Sequence, residues 1–299
     1  MSLFKTWTFA SCTALTLAAA SVALPVSAAS DKPITIGWVA WDDAEISAKL
    51  AAKVIEAQTQ RPVKLVMAEI GIHFQGLASK SVDVIPMVWL PSTHKNYWDK
   101  YSGQLEDLGV VYEGRIGWAV PEFVPKSEVA SIDDLNKPGV ADKFAGTILA
   151  ASPGTAQYVL SGKAIEAYGL KGYKVLPSSE AGMTTQFGRA YGKGEWAILN
   201  AWNPHWMFTK WPMRYLDDPK QIFGGTEQVH MVARAGFRQD EPEIARFLAG
   251  FSIPLADLEA MQLAAQQSSK DQVIDDYYRA HQQRFAALFD AKAVVSRQP

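Results

Sequence analysis

Short apolar runs alternate with stretches of helical period along most of this chain, and the alternation comes in two series. In the first, "ITIGWVAW" (34–41) reads as a strand. "DDAEISAKLAAKVIEAQ" follows with Ile46, Leu50, Val54 and Ile55 at helical spacing. Asp42, with Glu45 three residues on, fits a capping box at its start. "VKLVMAE" (63–69) alternates as a strand and "IHFQGLASK" (72–80) reads as helix. "VDVIPMVW" (82–89) is a strand whose end Pro86 turns into an edge or a bend, and "STHKNYWDKY" (92–101) is a short helix. The second series repeats this grammar. "GTILAA" (146–151), "YKVLP" (173–177) and "EWAILNAW" (195–202) read as strands. "SPGTAQYVLSGKAIEAYG" (152–169) and "SEAGMTTQFGRAYG" (179–192) read as helices. Beyond Asp240 the chain is mainly helical. Its best segment is "QVIDDYYRAHQQRFAALF" (272–289), with Val273, Ile274, Tyr277, His281, Phe285 and Leu288 on one face. Strands alternating with helices imply an α/β architecture with largely parallel sheets. Two series imply two lobes, with the glycine-rich "YEGRIG" (112–117) and "QIFGGTEQ" (221–228) as crossovers between them.

A chain of 299 residues, 48% hydrophobic, can bury a substantial core. Its formal charge is −2 and no Lys/Arg run occurs, so electrostatics give no case for nucleic acid or an anionic membrane surface. The start reads as a secretory leader: Lys5, a small apolar stretch from Thr13 to Val26, then Val26-Ser27-Ala28. Cleavage is expected after Ala28. Of the charged residues it removes only Lys5, which takes the formal charge to −3. The single cysteine, Cys12, lies in this leader, so the mature chain is expected without a disulfide and must rely on its core.

Two stretches a hundred residues apart have one form. "VIPMVWLPSTH" (84–94) and "AILNAWNPHW" (197–206) each run apolar, then Trp, one residue, Pro, and soon His. Trp89 and Trp202 thereby close strands, and Trp41 stands at a third strand-to-helix junction. In open α/β sheets ligands sit outside the carboxyl ends of strands. Tryptophan is usually a large core residue, but three at matching strand ends fit one cleft. Indole faces carry negative quadrupole density and suit a cation, above all a quaternary ammonium that offers no N–H. Trp38 and Trp118 are candidates for the pocket rim. His94 is a candidate donor to a carboxylate, whereas His205 reads slightly better as a turn histidine. Asp42 is best explained as a helix cap, and Asp43 as a cleft-facing charge. "AASPGTAQY" (150–158) places backbone N–H groups at a helix start, where an anion or an ordinary N-cap fits equally. Five scattered histidines without an H-x-x-x-H pair give no metal site. No nucleophile elbow or phosphate loop occurs, so neither a cofactor nor enzymatic activity is expected.

"AWDDAEISA", "VWLPSTHKNYW", "SPGT", "AWNPHWMF" and "YLDDPKQIFG" resemble the substrate-binding proteins of ABC importers for glycine betaine, choline and related quaternary amines. The resemblance covers nearly all of the chain after the leader. It implies a two-lobed periplasmic binding protein, type II-like, each lobe a mixed sheet flanked by helices. Lobe one would be 33–115 plus 226–299 and lobe two 116–225. It implies that Trp41, Trp89 and Trp202 box the ammonium group, and that His94 and the backbone N–H groups of Ala150 and Ala151 hold a carboxylate. Asp43 matches an acid that contacts choline in relatives. Thr155 stands where choline binders carry Asn, and Ala150 where betaine binders have Gly. Glycine betaine is the expected ligand, with choline, carnitine or a cyclic betaine as alternatives. An amino-acid or polyamine ligand would call for more cleft carboxylates, and an exported enzyme for a nucleophile or acid–base pair. The expected partner is an inner-membrane ABC permease, and the expected form a periplasmic monomer.

Overall fold

The computed structural model describes Met1 and residues 32–290. The leader expected over 1–28, with Cys12, lies outside the described residues apart from Met1, as do residues 291–299. The strands are β1 (Ile34–Trp38), β2 (Val63–Met67), β3 (Val84–Leu90), β4 (Leu105–Pro121), β5 (Thr147–Ala150), β6 (Lys174–Pro177), β7 (Ile198–Asn203), β8 (Met213–Tyr215) and β9 (Thr226–Arg234). The first helices are α1 (Asp42–Thr59), α2 (Ile70–Ala78) and α3 (Lys95–Tyr101). Then come α4 (Val140–Lys143), α5 (Ala156–Ala167), α6 (Glu180–Gly192) and α7 (Met207–Lys210). The C-terminal set is α8 (Phe237–Asp240), α9 (Pro242–Gly250), α10 (Leu255–Ala264), α11 (Lys270–Ala280) and α12 (Gln282–Ala286). No described helix is long and apolar enough to cross a membrane.

The strands form one mixed sheet in the order β2-β1-β3-β9-β4-β7-β5-β6, with β8 also on β4. β1 pairs in parallel with β2 and β3, and β5 with β6 and β7, as the two strand–helix series require. β4 joins the two sets. It runs antiparallel to β9 from Leu105 to Arg115, then to β7 from Arg115 to Ala119. The expected crossover at 112–117 is therefore a strand that changes partner, not a loop, and 226–228 of the second expected crossover opens β9. Glycines weaken the strand pattern of β4. Gly109, at φ +140, sits at a register shift against β9, where only glycine is relaxed.

β3 shows why its sequence is an unbroken apolar run. Val84 packs in the large core with Ile46 and Leu50 of α1, while Ile85 and Met87 pack in a second cluster with Phe74 and Leu77 of α2. A strand covered on both faces has no polar side. Pro86 does not put β3 at an edge: the strand lies between β1 and β9, and the pairing shifts register between Ile85 and Val88. Of the two readings of Pro86, the bend is the one found.

Two other expectations change. The segment 272–289 is not one helix: His281 leaves helical geometry (φ −121, ψ 17) and its Nδ1 lies 2.9 Å from the Tyr277 carbonyl, dividing α11 from α12. Asp42 is not the cap of α1. Trp41 holds the N-cap position without a side-chain bond, and Asp42 is the first helical residue.

A buried ion pair ties the first strand set together. Asp83 accepts from the Thr35 N–H of β1 (2.8 Å) and from Arg234 Nε of β9 (2.7 Å). Both side chains are about nine-tenths buried. Removing one partner leaves the other charge in low dielectric. Asp83→Ala is expected to lower unfolding free energy by about 3 kcal/mol in urea titration; a loss below ~1 kcal/mol would show that Asp240, the second partner of Arg234, suffices.

Candidate ligand site

Trp41, Asp43, Trp89, Thr93, His94, Gln157 and Trp202 line one small cavity. The structure thus brings together the three strand-end tryptophans, His94 and Asp43. Trp89 and Trp202 each stand one residue before the end of their strands, and Trp41 precedes α1. The peptide bonds Leu90–Pro91 and Asn203–Pro204 are both cis, so the two matching stretches also share a turn geometry.

Each wall has a local cause. The Trp89 N–H donates to His94 Nδ1 (3.0 Å), and the His94 N–H donates back to the Trp89 carbonyl (3.0 Å). Nδ1 is thus an acceptor, so the neutral ring carries its proton on Nε2. Complete burial holds the His94 pKa down, to about 3. The Trp41 and His94 rings stack at 6.2 Å. The Pro91 turn is fastened by Glu227 of β9, which accepts from the N–H groups of Ser92 (3.0 Å) and Thr93 (2.8 Å) and from the Thr93 hydroxyl. Trp89 lies over Gly114 of β4. A Cβ there would come within 2.4 Å of the indole and 2.6 Å of the Asn203 carbonyl, so glycine is required for Trp89 and the Trp202 strand to meet.

Asp43 is fully buried. Its Oδ2 accepts from the Tyr112 hydroxyl of β4 (2.5 Å), and its Oδ1 has no hydrogen-bond partner. Burial raises its pKa, opposed chiefly by the Tyr112 bond. Burial and then the Asp43 charge raise that of Tyr112.

Asp42, one residue earlier, points elsewhere. Its carboxylate accepts from Trp206 Nε1 (2.7 Å) and pairs with Lys270 (2.5 Å). Its N–H donates to Glu180 Oε2 (3.2 Å), whose Oε1 lies 3.1 Å from His205 Nε2. His205 Nδ1 accepts the Met207 N–H, so Nε2 is the donor to Glu180. Gln262 of α10 closes the group, accepting from the Trp206 N–H (2.9 Å) and donating to the Pro204 carbonyl (3.2 Å). Asp42, Glu180 and His205 have the spacing of a metal set. Their ligand atoms, however, are all taken by protein partners, and the group acts as a polar seam behind the cavity. Burial lowers the His205 pKa to about 4, and burial with the Asp42 charge raises that of Glu180.

Other expected residues lie around this centre. Ala150 ends β5 and Ala151 follows it, both buried and neither lining the cavity. Thr155 is the N-cap of α5, accepting from the Tyr158 N–H and donating to the Ser152 carbonyl. It lines a neighbouring cavity with Lys95 and Lys163. Trp118 is a core residue against Phe223, and Trp38 lines an outer groove with Trp206 and Trp211. Tyr112, Gly114, Gln157 and Glu227 escaped sequence reading. Tyr112 and Gly114 were inside "YEGRIG" and Glu227 inside "QIFGGTEQ", the two segments read as crossovers.

Gly114→Ala is expected to cost about 1–3 kcal/mol in chemical denaturation and to change the near-ultraviolet circular dichroism of Trp89; an unaltered spectrum would mean that the indole is not seated there. For His94 the native pKa, about 3, lies below the unfolded value of 6.5. Its neutral form therefore incurs no penalty above pH 6.5, and stability is lost as pH falls from 6.5 towards 3. Relative to His94→Gln, the unmodified chain should lose about 1.4 kcal/mol per pH unit across that window. A pH-independent difference would show His94 to be solvated.

Comparison with known proteins identifies the family. The family model described as the substrate binding domain of ABC-type glycine betaine transport system matches residues 32–280. A glycine betaine/carnitine transport binding protein, GbuC of Listeria monocytogenes, is 30% identical over 129 residues. That match spans 42% of this chain and 43% of the relative's length. Lactococcal OpuAC, solved closed and liganded with glycine betaine, superposes with a TM-score of 0.79 at 28% identity, over 87% of this chain and 100% of that one. The glycine/betaine/L-proline-binding protein ProX of Borrelia burgdorferi gives 0.79 at 26% identity, with the same coverage. These are two-lobed binding domains for transport, not enzymes. The chain belongs to the family of substrate-binding domains of ABC-type glycine betaine transport systems.

Proposed function

We propose that this chain captures glycine betaine, or a closely related quaternary ammonium compound, in a tryptophan box and delivers it to an ABC permease. The observation that carries the reading is the pairing of three indoles with a buried carboxylate in one small cavity. An alkylated ammonium has no N–H to satisfy, so π faces and a nearby charge hold it without competing hydrogen bonds, each face contributing up to about 2 kcal/mol when dry. At the polar end the His94 Nε2–H is a donor suited to a carboxylate. The Ala150 and Ala151 amides, at the mouth of β5, are proposed to help, and Thr155 to shape that end as the cap of α5. Choline is the second reading, favoured by the unpartnered Asp43 oxygen.

Capture works by closure. Lobe one, 33–115 with 226–299, supplies Trp41, Asp43, Trp89 and His94; lobe two, 116–225, supplies Trp202. Ligand bridging the two shifts the population towards the shut form, which the permease reads. The leader sends the chain to the periplasm, where it acts as a monomer.

Calorimetric titration of ligand-stripped protein with glycine betaine and with choline tests this. Tight binding of betaine with weak binding of choline is expected. Trp202→Leu keeps an apolar filler but removes a π face, and should weaken binding about 30-fold, or ~2 kcal/mol. Near-native affinity in that variant would remove the box from the mechanism. Tight choline with weak betaine would move the polar end to Asp43.

A further inference from the structure

Gln157 lies in the first turn of α5 and lines the tryptophan cavity, yet neither the strand-end pattern nor the family resemblance assigns it a role. It is nine-tenths buried (9% exposed). Its backbone carbonyl is engaged, accepting from Asn200 Nδ2 (3.3 Å), but its side-chain amide has no hydrogen-bond partner among the described residues. Unlike Asp43 Oδ1, the amide atoms are not sealed from solvent: they open onto the cavity and are free to meet a group that arrives there.

A chain of buried polar groups behind Gln157 gives it a fixed place. Trp118 Nε1 donates to Ser161 Oγ (2.9 Å), Ser161 donates to Asn200 Oδ1 (2.9 Å), and Asn200 reaches the Gln157 carbonyl. Trp118, Ser161 and Asn200 are at most 1% exposed. Such a network inside an apolar core is fully matched and rigid. Asn200 belongs to β7, two residues before Trp202. The network thus holds α5 in fixed relation to the strand that carries one wall of the box.

The polar groups facing the cavity now have distinct valences. Asp43 Oδ1 accepts, His94 Nε2–H donates, and the Thr93 hydroxyl is spent on Glu227. Gln157 alone offers both a donor and an acceptor on a neutral group. We infer that Gln157 is a ligand-reading residue of the box, whose amide meets the polar end of the ligand and sets the preference between carboxylate-bearing and hydroxyl-bearing quaternary amines. This rests on the quaternary-amine reading proposed above. Its amide N–H serves a carboxylate as a second side-chain donor beside His94. A hydroxyl, with two acceptor lone pairs and one proton but no charge, accepts weaker bonds from that pair.

Introducing a charge without change of shape tests it. Titration of the unmodified chain, Gln157→Glu and Gln157→Met with glycine betaine and choline reads out a ratio that a merely structural role would not move. Gln157→Glu should weaken betaine about 100-fold by placing like charges together, with choline held within about threefold or improved. Gln157→Met, close in shape and without hydrogen-bonding groups, should weaken betaine about tenfold and choline less; it carries the test if the glutamate variant fails to fold. A betaine-to-choline ratio unchanged in both variants overturns the inference while leaving the box intact. Silence of the unmodified chain towards both ligands overturns the parent reading, and this inference with it.

Discussion

A carboxylate without a full set of partners, shut among indole rings, governs this site. Taking an isolated carboxylate out of water is costly unless its oxygens are matched. Asp43 has one oxygen on the Tyr112 hydroxyl and one with none. The surrounding rings cannot help, because their faces present the same sign of charge density. Carboxylate and indoles therefore ask for the same thing, a positive group, and disfavour an anion at this end. Tyr112 reaches Asp43 only because β4 passes beneath the box, and β4 passes there only because Gly114 lets Trp89 and the Asn203 backbone close over it. The aromatic walls, the partner-changing strand and the glycine form one arrangement around one charge.

The two adjacent acids at the start of α1 show how this arrangement extends outward. Successive helical residues are about 100° apart, so Asp42 and Asp43 cannot face the same way. Asp43 enters the box. Asp42 joins Trp206, Lys270 and the Glu180–His205 pair at the seam. The other wall divides in the same manner, Trp202 facing the cavity and Trp206, four residues on, the seam. Each wall thus has one foot in the box and one in the seam. On the proposed mechanism, a change that draws Trp41 and Trp202 together also draws Asp42 and Trp206 together, and the seam bonds add to ligand contacts in favour of the shut form.

What was legible in the sequence were features with a period or a repeated form. Strand-end tryptophans followed by proline announce themselves twice, and α1 and the apolar β3 carry clear patterns. The supporting residues do not. Asp43 and Tyr112 are 69 positions apart, and Thr93 and Glu227 are 134 apart. Their segments are glycine-rich, and glycine weakens strand signals where close packing requires it. Asp42 fits a helix cap by type and spacing, but Trp206 and Lys270 provide stronger partners than the helix N-terminus. Local rules placed it at the start of α1, as the cap rather than the first helical residue, and gave it the wrong task, since the partners of its carboxylate lie 164 and more residues away.

On the proposed function, the tautomer of His94 bears on release as well as capture. The Trp89 N–H fixes Nδ1 as acceptor, and burial keeps the ring neutral at ordinary pH. On the proposed function, the polar end of the ligand would therefore meet a dipole rather than a second full charge. Had the ring been cationic, a zwitterionic ligand would form a buried ion pair at each end, and breaking such pairs by separation leaves uncompensated charges costing several kcal/mol. Dissociation rates carry most of the variation in affinity among related complexes. A receptor that must surrender its ligand is better served by one buried charge and neutral donors than by two opposed charges. On the proposed function, Asp43 at one end and neutral His94 at the other divide the work in that way: charge and π faces would hold the cation, and hydrogen-bond direction would read the far end.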